Sequence, residues 1–365
     1  MQTNHKRKKA AAMAWFIPLL FSFILAATGC SSPGNTASKA KADATSEQAG
    51  HNADTTGASS GENAEKVTLN IADISSNPVF RTAVNKGIFA KHGIEAKLVT
   101  FATPAEGINS LFIKQADIAW GADFPILNAV SKGDFTIVAS TGTSTEQNAK
   151  QWKLFVRDDI QKPEDLKGKN LSFLRGTFIS YLWDEYLAEH GVALADVKLI
   201  GQGGSDEAYV ALKKGEVDGV WVSGSAMVEK FSAIEGAHEL TDMSQTKVRI
   251  GSQIVVPNSL IEEHPETVEQ FLLALDESSK FVKDHPEEVA DILYEEVKQP
   301  KEATLKDLSV NNWHVDFTQG ALDSLASQKK YMVENGIIQQ DFELTDKIDL
   351  DFLRDILPDR VTVAP

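Results

Sequence analysis

Three short polar loops stand where a strand-like pattern gives way to a helical one. They are Ser75-Ser76-Asn77, Gly121-Ala122-Asp123, and Gly176-Thr177, the last with Ser180 in the first helical turn that follows. A fourth, Ser223-Gly224-Ser225, comes after Trp221 at a strand end. Such loops suit an anion, because hydroxyls and the free N–H groups of a helix start converge there and the helix dipole favours negative charge. The same residues also serve as plain N-caps, Asn77 ahead of Pro78 being a good example. Asp123 adds a constraint. A carboxylate among such donors repels a bare inorganic anion and suits a ligand that also carries a cation or N–H donors. Turned away from the loops, it would only cap its helix.

Other chemistry is poorly provided for. The eight histidines include no His-x-x-x-His pair, there is one cysteine, and the Gly-x-Ser-x-Gly match at Gly57 to Gly61 falls in a polar stretch with no strand pattern ahead of it, so no nucleophile elbow is read. His92 and His190 each precede a glycine that closes a helical pattern, where the helix C-terminus favours them structurally. Gly201-Gln-Gly-Gly-Ser205 lacks the third glycine and the lysine of nucleotide-binding loops and reads as a tight turn. The expectation is binding without metal, cofactor or catalysis.

The elements that would carry these loops alternate. Strand patterns at Val67–Ala72, Glu95–Phe101, Asp117–Trp120 and Phe135–Ser140 are separated by helical ones, the first with Val79, Phe80, Ala83, Val84 and Ile88 on one face. Thr103-Pro-Ala-Glu106 is a capping box. After a strand at Trp152–Arg157, a second set begins at Asn170–Leu174. It continues with the stripe Ile179, Leu182, Trp183, Tyr186 and Leu187, then strands at Val197–Ile200, Val220–Val222 and Ile254–Val256. Everything after Pro257 is helical in pattern. Alternation of this kind implies βαβ units, parallel-type sheets and ligands held in a crevice at the strand ends. The halves share no evident sequence repeat.

The chain has 365 residues and a formal net charge of −16, with four basic residues among the first ten and no acid before Asp43. A body this acidic excludes nucleic acid as a partner. Residues 1–29 combine a basic start, an apolar run and a small-residue end, the layout of an export signal. Cys30, the single cysteine, follows directly. Residues 31–66 contain no aromatic or large aliphatic side chain and form a tether that cannot bury a core.

Several stretches resemble one family. These are Gly87-Ile-Phe-Ala-Lys-His-Gly93, Asp117-Ile-Ala-Trp-Gly121, Ile160 to Lys169 with Gly176-Thr177, Ala211 to Gly219, and Ile261 to Glu266 with Phe271 to Leu275. Together they resemble the extracytoplasmic solute-binding proteins of ABC transporters, in the branch for nitrate, taurine, aliphatic sulfonates and thiamine-pyrimidine precursors. Ala27-Thr28-Gly29-Cys30 likewise resembles a bacterial lipoprotein signal, which implies that Cys30 is lipidated and holds the protein outside the cytoplasm on the cell membrane.

The resemblance implies a two-lobed, type II periplasmic-binding-protein-like α/β fold with a long helical C-terminal part. It places one lobe at residues 67–158 plus 252–365 and the other at 159–251. It also implies a monomer that hands a sulfonate-, taurine- or nitrate-like ligand to an ABC permease, with Ser75, Ser76, Asn77, Asp123, Gly176, Thr177, Ser180, Trp221, Ser223 and Ser225 in the cleft. An aminopyrimidine ligand, an enzyme on the same scaffold, and a sensor are the alternatives. Ser180 stands where the family often has histidine, and the loop after Trp221 lacks the family's usual Trp, acid or Pro.

Overall fold

The computed structural model describes residues 67–143 and 145–363. The export signal, Cys30 and the tether lie outside the described residues. The first strand, β1 (Val67–Ile74), pairs in parallel with β2 (Ile94–Phe101), from Val67 opposite Ile94 to Ile74 opposite Phe101. Between them run α1 (Pro78–Asn85) and the single turn α2 (Ile88–Lys91), started by Gly87 in the left-handed conformation (φ 67°). Then come α3 (Pro104–Ser110), β3 (Ala119–Ala122), α4 (Asp123–Val130) and β4 (Phe135–Thr143). A bridge from Ile71 to Ile118 joins β1 to β3. The first sheet therefore runs β2-β1-β3-β10-β4, with β10 (Gly251–Pro257) antiparallel to both neighbours.

After α5 (Glu146–Ala149) the chain enters a second sheet. Its strands are β5 (Lys153–Arg157), β6 (Asn170–Leu174), β7 (Lys198–Gln202), β8 (Gly219–Val222) and β9 (Ala237–Asp242), interleaved with α6 (Ile179–Glu189), α7 (Ser205–Lys214) and α8 (Ser225–Ser232). The order is β7-β6-β8-β5-β9, again with the fourth strand antiparallel. Both sheets thus share one plan. In each, the antiparallel strand is the one the chain lays down just after crossing from the other lobe.

Three expectations need correction here. The sheets are mixed, because β5 and β10 oppose their neighbours. The boundary at 158/159 is too late: Lys153 to Val156 pair with Val222 to Gly219, so β5 belongs to the second sheet and the first crossing lies between β4 and β5. Finally, β9 lies where the sequence pattern marks no strand. It is an edge strand whose side chains are half-buried or exposed, so it lacks apolar alternation.

Period-two alternation accounts for the second lobe's packing. Val220 and Val222 meet Leu212 and Phe231 on one face, while Trp221 joins Trp183 and Tyr186 of α6 on the other. The C-terminal helices return to the first lobe: α9 (Asn258–Glu263), α10 (Pro265–Asp284), α11 (Pro286–Val297), α12 (Lys301–Leu308), α13 (Gln319–Glu334) and α14 (Asp351–Ile356). On α10, Val268, Phe271, Leu272, Leu275 and Val282 form one buried stripe. Phe271 stacks on Phe89 at 5.7 Å and tilts against Phe80 at 6.2 Å, which seats this helix on α1 and α2.

Candidate functional site

In each lobe the loops that follow the parallel strands leave at one end of the sheet, the end where α/β sheets hold ligands. The two ends face each other. A Cβ added to Gly176, in the loop after β6, would stand 3.5 Å from the Cβ of Ala105 in the first turn of α3. Gly176 has φ 74°, so the loop needs glycine for its backbone, while the approach itself is ordinary van der Waals contact.

Around that contact the polar groups divide into those already used and those left open. Asn77 is buried, and its Oδ1 accepts from the N–H groups of Val79 (2.9 Å) and Phe80 (3.4 Å) as the α1 cap, which leaves Ser75 and Ser76 exposed ahead of the helix. Thr103 caps α3 by accepting from Glu106 N–H at 3.3 Å. Thr177 donates its hydroxyl to the Leu174 carbonyl at 2.8 Å and accepts weakly from Ile179 N–H at 3.4 Å. Ser180 hydrogen-bonds the phenol of Tyr331 on α13. Ser223 is half-buried. Ser225 donates both its N–H (2.9 Å) and its hydroxyl (2.7 Å) to Oδ1 of Asp307 on α12.

Two expected residues do not face the crevice. Asp123 is fully buried and turned inward. Its Oδ2 accepts from Gly251 N–H (2.7 Å), Gln328 Nε2 (2.7 Å) and the Ser324 hydroxyl, and its Oδ1 from Gln253 Nε2 (2.8 Å). Burial pushes the carboxyl's pKa up against the pull of these hydrogen bonds. Asp123 does not cap α4 either; it is the first helical residue and ties that helix to β10 and α13. Trp221 is 2 % exposed and packed 5.8 Å from Trp183 and 5.5 Å from Tyr186 (ring centroids), so it is core of the second lobe.

Three groups escaped the sequence reading. Trp120, half-buried near the end of β3, donates Nε1–H to Thr141 Oγ1 at 2.7 Å and tilts against Trp313 at 5.8 Å. A cavity of about 450 Å³ lies beside Trp313, walled by Val282, Lys283, Leu305, Leu308 and Asn312, and none of the expected site residues lines it. The third group is Asp73, two residues before Ser75. It is buried against Arg81, with Oδ2 2.6 Å from Nη2, and burial outweighs the guanidinium to push its pKa up to about 7. Arg81 also donates to Thr100 Oγ1 at 3.1 Å, which ties α1 to β2 behind the Ser75–Ser76 loop. An acid eight residues before an arginine across a strand-to-helix turn was the available signal.

The family model described as NMT1/THI5 like matches residues 78–289. The chain belongs to that family. Among individual relatives, a protein of Brucella abortus named as a binding protein is 25% identical over 266 residues, covering 67% of this chain and 80% of that one. A Bacillus subtilis protein named for binding aliphatic sulfonates is 25% identical over 213 residues, 58% of this chain and 62% of that one. Solved structures share the fold at low identity. The alkanesulfonate-binding protein SsuA of Xanthomonas axonopodis pv. citri, bound to MOPS, has TM-score 0.67 at 15% identity, over 79% of this chain and 99% of that one. The desulfurization enzyme DSZB has TM-score 0.58 at 16% identity, over 80% and 99%. The family member therefore has the periplasmic-binding-protein fold, on which both binding proteins and an enzyme are built.

Proposed function

We propose that this chain is the substrate-binding component of an ABC importer and captures a small organic sulfonate between its two lobes. The observation that carries the reading is the meeting of the two sheets' loop ends at Gly176 and Ala105, with the exposed hydroxyls of Ser75 and Ser76 on one side and the loop at Thr177 on the other. A sulfonate suits such a place because its three oxygens each accept hydrogen bonds while its single charge is met by helix N-termini. The names of the sequence relative in Bacillus subtilis and of the SsuA structures support the same ligand class. Asp123, sealed inside the first lobe, gives no reason to demand a cation on the ligand, so simple alkanesulfonates rank ahead of taurine.

The export layout and Cys30 support delivery to the outer face of the membrane and anchoring there by lipid, with the tether of residues 31–66 giving reach to a permease. Calorimetric titration with alkanesulfonates, taurine, nitrate and an aminopyrimidine tests the ligand class. An alkanesulfonate should bind at one site with micromolar or tighter affinity and be recovered unchanged. Silence from every sulfonate rejects the class, and release of sulfite would mark an enzyme instead.

A further inference from the structure

Ser225 was expected to meet the ligand, yet its two donors are taken by the protein itself. The N–H is one of the free donors at the start of α8, and with the hydroxyl it converges on a single carboxylate oxygen, Asp307 Oδ1, at 2.9 and 2.7 Å. The two residues are 82 positions apart and belong to different lobes. The helix α8 packs on β5 and β9 of the second sheet, whereas α12 packs on α11, which packs on α1 of the first lobe. Gly224, with positive φ (86°), precedes the contact and turns the chain into the helix. A carboxylate set against a helix N-terminus is favoured by the dipole and by charge-assisted hydrogen bonds.

We infer that Asp307 is a positioning residue that latches the second lobe onto the first, occupying at α8 the place a ligand anion would otherwise take. This rests on the two-lobed binding reading and sharpens it. The ligand's sulfonate is left the loops at Ser75–Ser76 and Gly176–Thr177, and the α8 start serves closure. Asp307 holds the lobes shut around the guest, so its removal shows in the rate of escape.

The test uses the full chain with Asp307→Ala and Asp307→Asn, and 1-butanesulfonate as probe. Stopped-flow release should be about tenfold faster for Asp307→Ala. For Asp307→Asn, whose amide oxygen still accepts from Ser225 without the charge, about threefold is expected. Spin labels at Lys97→Cys and Lys214→Cys, in a Cys30→Ser background, should report a longer lobe separation for ligand-free Asp307→Ala than for the parent. Unchanged release or unchanged separation overturns the latch. So does tighter binding by Asp307→Ala, which would make the carboxylate a competitor of the ligand. If the parent binds no sulfonate, the ligand class fails while the label separation still decides the latch.

Discussion

In the first lobe Asp117 leads into β3, and in the second Asp218 leads into β8. Each carboxylate accepts from the backbone N–H of an asparagine in the neighbouring strand, Asn70 at 2.7 Å and Asn170 at 2.8 Å. Each aspartate's own N–H returns to that asparagine's carbonyl at 2.7 Å. Three residues on, both lobes place a tryptophan, and there the likeness ends. Trp120 is half-buried with its indole N–H given to Thr141, whereas Trp221 is sealed beside Trp183 and Tyr186. The next helix starts differ in the same sense. The first residue of α4 is Asp123, an acid supplied in place and turned inward; the first residue of α8 is Ser225, which takes its acid from Asp307 across the crevice. The backbone device that registers each sheet is repeated, and the side chains beyond it have separated into a braced lobe and a docking lobe.

The sharpest way to break this comparison is to shorten both tryptophans. Trp221→Ala should lower unfolding free energy by about 4 kcal/mol, the range for a large buried aromatic. Trp120→Ala should cost about half that, because part of its surface is already in water. Equal losses in denaturant titrations would erase the distinction.

Asp123→Ala comes next, at about 3 kcal/mol, because it strands the buried donors of Gly251 and Gln253, while Ser324 keeps the Arg249 carbonyl and Gln328 keeps Ser324 Oγ. Ser225→Ala keeps the backbone donor and should cost about 1 kcal/mol or less. A Ser225→Ala loss as large as that of Asp123→Ala would mean that both helix starts are braced alike.

Arg81→Ala probes the pair behind the Ser75–Ser76 loop through pH. Asp73 has a folded pKa raised to about 7 from 3.8, so the folded state binds its proton more tightly. That contribution to stability is complete below the unfolded pKa and is lost as pH rises through the folded one. Without Arg81 the buried carboxylate loses its counter-charge, so the variant's deficit should be about 3 kcal/mol at pH 8 and clearly smaller at pH 5, where Asp73 is protonated. A deficit that does not change with pH would remove the charge from the account. The smallest expected effect is on stability in Cys30→Ala, which should leave unfolding unchanged and release the protein from membranes in fractionation; retention would contradict lipid anchoring at that residue.

Much of the scaffold was legible because it rests on local patterns. The stripe from Ile179 to Leu187, the Asn77 cap and the Thr103 cap depend on neighbours within one or two helical turns. What escaped depends on distant partners. The inward turn of Asp123 is set by residues 128 to 205 positions away. The lobe to which β5 belongs is decided by β8 and β9, and nothing in Leu154-Phe155-Val156 favours one sheet over the other. The burial of Trp221 could have been read, since strand alternation puts it opposite Val220 and Val222, toward the aromatic stripe of α6. The repeated Asp-x-x-Trp of residues 117–120 and 218–221 was also present in the sequence, masked because its flanking residues differ.

The central claim is that a sulfonate sits between the lobes, and a crystal structure of the chain grown with an alkanesulfonate tests it most directly. The account predicts density for the sulfonate group between the loops at Ser75–Ser76 and Gly176–Thr177, with Asp307 still on Ser225. Density confined to the cavity beside Trp313, with an empty crevice, would contradict it.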